Sequence, residues 1–168
     1  STGLTLFDFN LDGSAELIYR DQTTLRIFNG SNGSILTTFN NSSLTANEYP
    51  VIADVNNDGA AEILITGENR VCIFSSNPPG QWAPARHVWN QYAYNVVNIN
   101  NDLTVPQYQF NPSTPLVDPN TPTVVRRPFN NFLQQATSID QYGIPFFTLP
   151  DAAVIEDSTI VYNSCDSM

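Results

Sequence analysis

The sequence predicts an all-β protein in which one structural unit is repeated. Short runs of β-branched residues alternate with turns rich in Gly, Pro and Asn, and aromatic residues make up 11% of the chain. An acidic segment of 13 residues occurs twice. At 168 residues the chain is long enough for one domain with its own core plus a tail. We therefore expect many short strands joined by turns rather than long helices.

The repeat is clearest around two acidic loops. The segment from Leu6 to Ile18 recurs from Ile52 to Leu64, at an offset of 54 − 8 = 46 residues. At the same offset, the apolar run 25–28 falls on the run 71–74. Each unit therefore predicts a strand, a loop, a second strand, a turn and a third strand. Repeats of roughly 40 to 50 residues with several strands have the size of propeller blades, so we predict β-propeller-like blades that form a partial propeller.

Each acidic loop has the pattern Asp-x-Asn-x-Asp-Gly-x-x-Glu. Oxygen-bearing side chains stand at positions 1, 3 and 5, and Gly at position 6 permits the sharp turn that brings the carbonyl of position 7 to the same centre. Such oxygen ligands suit a hard dication and offer nothing soft for zinc or copper. We predict two calcium ions, with Ser14 and Ala60 contributing backbone carbonyls. The predicted ligands are Asp8, Asn10, Asp12, Ser14 and Glu16 in the first loop, and Asp54, Asn56, Asp58, Ala60 and Glu62 in the second.

Two comparisons limit the metal prediction to these loops. An EF-hand begins with similar spacing but needs Glu at position 12, where the loops have Tyr19 and Ile65, so an EF-hand is rejected. A third copy of the unit replaces the first Asp by Asn98, the Gly by Leu103 and the final Glu by Pro106. We expect this third unit to be retained as structure but to be poor in metal.

Charge and hydropathy exclude several classes of function. The formal net charge is −10 and all six basic residues are arginines, so no basic stripe is present to neutralise phosphates, and no nucleic-acid partner is expected. No run of 18 apolar residues predicts a membrane span, and residues 1–6 lack the features of a signal peptide. Because the chain opens almost directly into a strand-like stretch, we expect it to be cut or processed from a longer protein.

The sequence predicts no enzyme activity. His87 is the only histidine and has no nearby serine or cysteine that suggests nucleophilic catalysis. The acids recur at a fixed period, which a catalytic carboxylate pair has no need to do. Cys72 lies in an apolar run and is predicted to be a small buried thiol, which leaves Cys165 without a partner. A disulfide between the two cysteines is the alternative.

An aromatic block follows the second unit. It contains Trp82, Trp89, Tyr92 and Tyr94, and two interpretations stay open. The rings either fill the junction behind the second unit or form a ligand surface that stacks on sugar rings. The second interpretation makes the chain a carbohydrate-binding module, and an accessory domain of a polysaccharide-active enzyme is a further alternative.

The acidic loops resemble the calcium loops of FG-GAP/VCBS repeats, the blades of integrin α-subunit propellers and of many bacterial surface proteins. The resemblance rests on Asp8 to Glu16 and on Asp54 to Glu62, and covers roughly residues 1–105. It implies a secreted or cell-surface protein. The loops depart from the commonest family pattern by having Asn at position 3 and Glu at position 9. Direct and water-mediated coordination by the two glutamates therefore both stay open.

A second resemblance concerns the rest of the chain. Segments 82–94, 100–106 and 127–132 are similar to segments behind such repeats in large Bacteroidetes surface proteins, including gliding adhesins exported by type IX secretion. This resemblance implies cell adhesion and gliding motility. It also implies that the C-terminal strand opens a following Ig-like domain, with Cys165 paired beyond the chain. The predicted parts are blades over 1–105 with the third from about residue 96, a Pro- and Asn-rich extension packing on the blades over 106–148, and a linker with that strand over 149–168.

Together these patterns predict a calcium-stabilised structural or adhesion module of a large extracellular protein. A closed propeller needs at least about four blades. We therefore expect other segments of the parent protein, or a partner chain, to complete the sheet. A glycan or a surface protein is the expected target of adhesion.

Overall fold

The computed structural model describes residues 3–43, 48–109, 111, 116–117, 125–126, 133–135 and 162–166. Within these ranges the chain forms two four-stranded antiparallel sheets, one two-stranded pair and one short 3₁₀ helix, so the all-β prediction is confirmed. No closed propeller is formed by the described strands. The same ranges contain no helix with the length and apolar character that a membrane crossing requires.

The first repeat unit forms the first sheet, in which neighbouring strands follow one another along the chain. The first acidic loop joins the first two strands. The turn between the third and fourth strands requires Gly30, because a Cβ there would lie 2.1 Å from the carbonyl oxygen of Ala15. The strands are β1 (Leu4–Phe7), β2 (Glu16–Arg20), β3 (Thr24–Phe28) and β4 (Ile35–Asn40).

The second unit contributes three strands to the second sheet and repeats the acidic loop. Its first three strands are β5 (Val51–Ala53), β6 (Glu62–Gly67) and β7 (Arg70–Ser75). The second acidic loop joins β5 to β6, and Asn69 turns β6 into β7 with a φ of 59°. Two short strands farther along, β8 (Leu116–Val117) and β9 (Val125–Arg126), pair with each other.

The fourth strand of the second sheet differs from the sequence prediction. Strand β10 (Tyr162–Asp166) pairs antiparallel with β7 and takes the place that β4 has in the first sheet. The sequence analysis places this strand at the start of a following domain, whereas in the described residues it forms an edge of the second sheet. The physical reason is that β7 would otherwise present a row of unpaired backbone groups at the sheet edge.

The cysteine prediction is also corrected. Cys72 is disulfide-bonded, so it is not a free buried thiol. The register of β10 places Cys165 directly opposite Cys72. Because the sequence has only these two cysteines, Cys165 is the partner that this register offers, and the alternative interpretation of a mutual disulfide fits the strand pairing.

The two sheets pack through opposite faces of the repeated unit. Ile27 of β3 is buried, whereas its repeat equivalent Ile73 is half-buried and Phe74 is buried instead. The rings of Phe39 and Phe74 meet between the sheets, with centroids 4.7 Å apart. The sheet face that carries Ile27 in the first unit thus packs against the face that carries Phe74 in the second unit. Equivalent units that contact each other through non-equivalent faces are typical of head-to-tail repeats. The shared core contains Phe7, Phe9, Ile18, Leu25, Ile27, Ile52, Ile63, Ile65, Cys72 and Phe74.

Residues 82–86 cross the loop ends of both sheets. The N–H of Ala83 donates to the carbonyl of Phe9, and the carbonyl of Ala83 accepts from Ala61, at 2.8 and 3.0 Å. Trp82 is 2% exposed and packs on Phe9, with ring centroids 4.5 Å apart. This part of the aromatic block therefore joins the two units.

Candidate functional site

The two acidic loops have the same hydrogen-bond network. Asp8 accepts from the backbone N–H of Asp12 at 3.1 Å and of Gly13 at 2.9 Å. Asn10 also accepts from the Asp12 N–H at 2.9 Å, and Asp12 accepts from the Ser14 N–H at 2.7 Å. The four equivalent bonds of the second loop measure 3.1, 3.0, 2.9 and 2.8 Å. The repeat found in the sequence is therefore a repeat of geometry.

Two residues with positive φ turn each loop. In the first loop these are Leu11 and Gly13, with φ of 58° and 87°; in the second they are Asn57 and Gly59, with φ of 62° and 93°. The glycine at position 6 adopts this conformation without steric cost. The turn directs the backbone N–H groups inward, where they donate hydrogen bonds to the side chains at positions 1, 3 and 5.

A buried glutamate closes each loop. Glu16 Oε2 accepts from the N–H of Phe9 at 3.0 Å, and Glu62 Oε2 accepts from the N–H of Val55 at 2.8 Å. The two side chains belong to residues that are only 3% and 2% exposed. The second oxygen of each, Oε1, is buried and accepts no hydrogen bond in the described structure. An unsatisfied carboxylate oxygen at the same place in two loops requires a physical explanation.

The electrostatics of the loops favour a cation. The pKa of Glu16 and of Glu62 is raised to about 7, mainly by burial and to a smaller extent by repulsion from the two aspartates of the same loop. Hydrogen bonds from backbone N–H groups lower the pKa but do not cancel these two effects. Burial likewise raises the pKa of Asp8, and repulsion from Asp12 contributes. Three carboxylates of one loop are thus close enough to repel each other, and a positive charge among them would relieve that repulsion.

The carboxylates do not converge on a finished metal cage. Among the residues that the structure describes, no group of three or more His, Cys, Asp or Glu side chains is arranged to hold a metal ion. The aspartate oxygens face the N–H groups of their own loop instead. Each carboxylate oxygen has more than one acceptor direction, so these hydrogen bonds do not exhaust the oxygens.

The third copy keeps part of the turn and Asp102 but lacks the first and the last acidic residue of the loop. Leu103 has a φ of 68° at the position of Gly13 and Gly59. Asp102 accepts from the N–H of Thr104 at 3.0 Å, as Asp12 does from the residue two places on. Bonds from the Thr104 hydroxyl and N–H lower the pKa of Asp102, whereas the glutamates of the complete loops have raised pKa values.

A buried arginine organises the third copy, and the sequence analysis missed it. Arg86 is 9% exposed, and its Nη1 and Nη2 donate to the carbonyls of Val96 and Ile99 at 2.8 and 2.7 Å. Its Nε donates to Asn101 Oδ1 at 2.6 Å, and Nη1 also reaches the Tyr94 hydroxyl at 3.2 Å. The one available signal was an arginine beside the small apolar residues 83–85.

The predicted aromatic surface divides into core and groove. Trp82 and Tyr94 are 2% and 0% exposed, so they cannot stack on a ligand. Trp89 is half-buried and stacks on Tyr94 with centroids 4.3 Å apart, whereas Tyr92 is 69% exposed. Only Trp89 and Tyr92 of the predicted set line an open groove, which has a volume of about 850 Å³ on the outer face of the second sheet.

Comparison with known proteins gives one family-model match, which covers part of the chain, and no individual relative. No curated protein and no solved structure matches the chain. The family match begins at Asp8, after β1, and ends at Ile65 in β6, so it contains strands β2 to β5 and both acidic loops. The resemblance inferred from the loops is confirmed over this range: residues 8–65 match the family model described as an FG-GAP-like repeat.

Proposed function

We propose that the chain is a structural, adhesion-type module of an extracellular protein, and that calcium in its two acidic loops stabilises it. The observation that carries this proposal is the buried Oε1 of Glu16 and of Glu62, which accepts no hydrogen bond in either loop. A cation beside each atom would satisfy it and would offset the repulsion among three carboxylates. The family match over residues 8–65 supports the structural role.

Calcium suits these loops better than other metals. The available donors are carboxylate, amide and backbone carbonyl oxygens, which hard dications prefer. Calcium tolerates irregular geometry with six to eight oxygens, whereas magnesium demands a near-ideal octahedron. The loop carboxylates keep further lone pairs that an ion could engage. Binding energy gained in the folded loops alone becomes folding stability.

The packing of the sheets supports a role within a larger array. The face of the first sheet that is equivalent to the buried face of the second carries apolar residues that are half-buried, among them Leu6, Leu17 and Phe28, or exposed, as Leu4 is. Another segment of the parent protein, or a partner chain, would cover this face. The disulfide of Cys72 fits an oxidising, extracellular compartment. A gliding adhesin exported by type IX secretion is the setting that the second resemblance suggests.

Calorimetric titration of calcium into the chelator-treated full chain tests this function. We expect two ions per chain, with dissociation constants of roughly 10⁻⁵ to 10⁻³ M, and weaker binding of magnesium. Asp12→Asn and Asp58→Asn should each remove one site. Asp102→Asn is the matched control in the incomplete third loop and should leave both sites. Absence of calcium binding at millimolar concentration, or an equal loss in the control, would refute the proposal.

A further inference from the structure

We propose that the groove on the outer face of the second sheet binds a neutral oligosaccharide through an aromatic wall formed by Tyr49, Trp89 and Tyr92. The groove borders the second acidic loop, which contributes Asp54, Val55 and Asn57 to its lining, whereas the aromatic wall contains none of the predicted calcium ligands. The floor of the groove consists of Val51, Leu64 and Val71. These residues alternate with the buried residues that face the first sheet.

A departure from the repeat creates the groove. In the first sheet, the equivalent face is covered by the second sheet and carries large buried side chains. In the second sheet, three repeat-equivalent positions on that face have smaller side chains. The pairs are Phe7 and Ala53, Arg20 and Thr66, and Leu25 and Val71. The lost volume leaves an open space, and residues 87–92 border it.

The aromatic wall is held in place from behind. Trp89 stacks on the fully buried Tyr94 at 4.3 Å, with the rings 20° from parallel. The hydroxyl of Tyr94 donates to Gln135 Oε1 at 2.6 Å, and Gln135 Nε2 donates to the carbonyl of Ile52 in β5 at 3.1 Å. The hydroxyl of Tyr49 donates to the backbone carbonyl of Tyr92 at 2.9 Å. The wall is therefore preorganised by hydrogen bonds to the sheet, which lowers the cost of binding.

The ring geometry indicates the class of ligand. Tyr49 lies 5.0 Å from Tyr92 and 6.1 Å from Trp89 between ring centroids, so the rings touch each other and leave no cage for an organic cation. They form a contiguous cluster in which the rings of Tyr49 and Tyr92 meet edge to face at 86°, and the exposed ring of Tyr92 can receive a flat apolar face. Sugar rings combine such a C–H face with hydroxyl groups at their edges. Exposed amides of Asn57, Asn90 and Gln91 line the same groove and can bond those hydroxyls.

Charge and size favour a neutral oligosaccharide over an anionic ligand. The described lining contains no lysine or arginine, and its titratable residues include Glu48, Asp54 and His87. Glu48 is already engaged by Arg20, with Oε2 3.5 Å from the guanidinium. The net charge of −10 further disfavours phosphates and uronic acids. A volume of about 850 Å³ lies in the range of small-ligand sites, roughly 300 to 1,000 Å³.

An array of neutral and anionic glycans probed with the labelled full chain, in excess calcium, tests the proposal. We expect binding to neutral glycans, and titration of the best trisaccharide should change the fluorescence of the chain because Trp89 lies in the wall. Tyr92→Ala should weaken this binding by about tenfold or more. Asn90→Ala should give a smaller loss. Because both side chains are exposed, unchanged melting curves should accompany these losses.

The matched control is Tyr108→Ala, which removes another tyrosine that is 85% exposed and lies outside the groove lining. It should leave glycan binding unchanged. Three results would overturn the proposal: no binding to any neutral glycan, preference for anionic glycans, or an equal effect of Tyr92→Ala and Tyr108→Ala. Size-exclusion chromatography supplies one more contradicting result: a wild-type dimer that becomes a monomer in Tyr92→Ala. This result would assign the groove to a protein interface.

Discussion

Replacing Glu62 by Gln should change the stability of the chain in opposite directions with and without calcium. The folded-state pKa of Glu62 is about 7, above its ordinary value of 4.5, because burial and the two loop aspartates disfavour the charged form. At pH 8 the metal-free folded state must hold an ionised carboxylate that the unfolded chain solvates easily. Gln removes that charge and keeps an oxygen that can accept the N–H of Val55.

The magnitude follows from the shift in pKa. A displacement from 4.5 to about 7 corresponds to roughly 3 kcal/mol of lost stability at pH 8. Screening by solvent at the exposed loop, together with burial of an amide N–H, reduces the expected gain to about 1 to 2 kcal/mol. In calcium at about 100 times its dissociation constant, the wild type gains roughly 2.7 kcal/mol per site. Because Glu62→Gln loses the calcium stabilisation of the second loop, it should be less stable than the wild type by about 1 kcal/mol in calcium.

The assay is urea unfolding followed by circular dichroism at pH 8, in chelator and in excess calcium. Glu68→Gln is the control, since Glu68 is an exposed glutamate in the β6–β7 turn, and it should change stability by less than about 0.5 kcal/mol in both conditions. If Glu62→Gln destabilises the chain equally in both conditions, Glu62 has a structural role that is independent of metal, and the reasoning fails.

Four further outcomes are expected. Asp58→Ala should lower the melting temperature in calcium by several degrees, whereas Asp102→Ala should change it little, as paired thermal melts can show. In chelator, the melting temperature should fall as pH rises from about 5 to about 8, because carboxyl groups with raised pKa values stabilise the fold only while protonated; a flat profile would contradict this. Arg86→Leu should leave buried carbonyls unsatisfied at a cost of about 2 to 4 kcal/mol and speed hydrogen exchange over residues 96–104, while Arg26→Leu, which removes a partly exposed ion pair, should cost less than about 1 kcal/mol. Reducing the disulfide of Cys72 should cost about 2 to 5 kcal/mol, measured by melting with and without reductant.

The repeated part of the fold was predictable because it is governed by local chemistry. Alternating oxygen-bearing side chains, a glycine and a closing glutamate specify each loop within nine residues, and the flanking β-branched runs specify the strands. In the structure both copies have the predicted loop and flanking strands, and the hydrogen bonds within the two loops match. The third copy was recognised from Asp102, and the positive φ of Leu103 shows that the turn persists without glycine.

The long-range contacts were not predictable from such patterns. The pairing of β10 with β7 joins residues about 90 positions apart, and no local signal specifies it. Burial of Trp82 and Tyr94 depends on which face of the aromatic block meets the sheets, and composition carries no information on this. The interactions of Arg86 with backbone carbonyls are equally invisible, because carbonyl acceptors occur in every sequence. Segment 127–132, most of the predicted extension over 106–148 and most of the predicted linker and strand over 149–168 lie outside the described part of the chain.

The most direct test of the central claim is the melting temperature of the full chain as a function of free calcium. If both acidic loops bind calcium only in the folded state, chelator should give the lowest value, and the melting temperature should rise with the logarithm of calcium concentration above the dissociation constant. Saturation of two sites at about 100 times that constant should add roughly 5 kcal/mol. A melting temperature that is the same in excess chelator and in excess calcium would show that the acidic loops are ordinary turns.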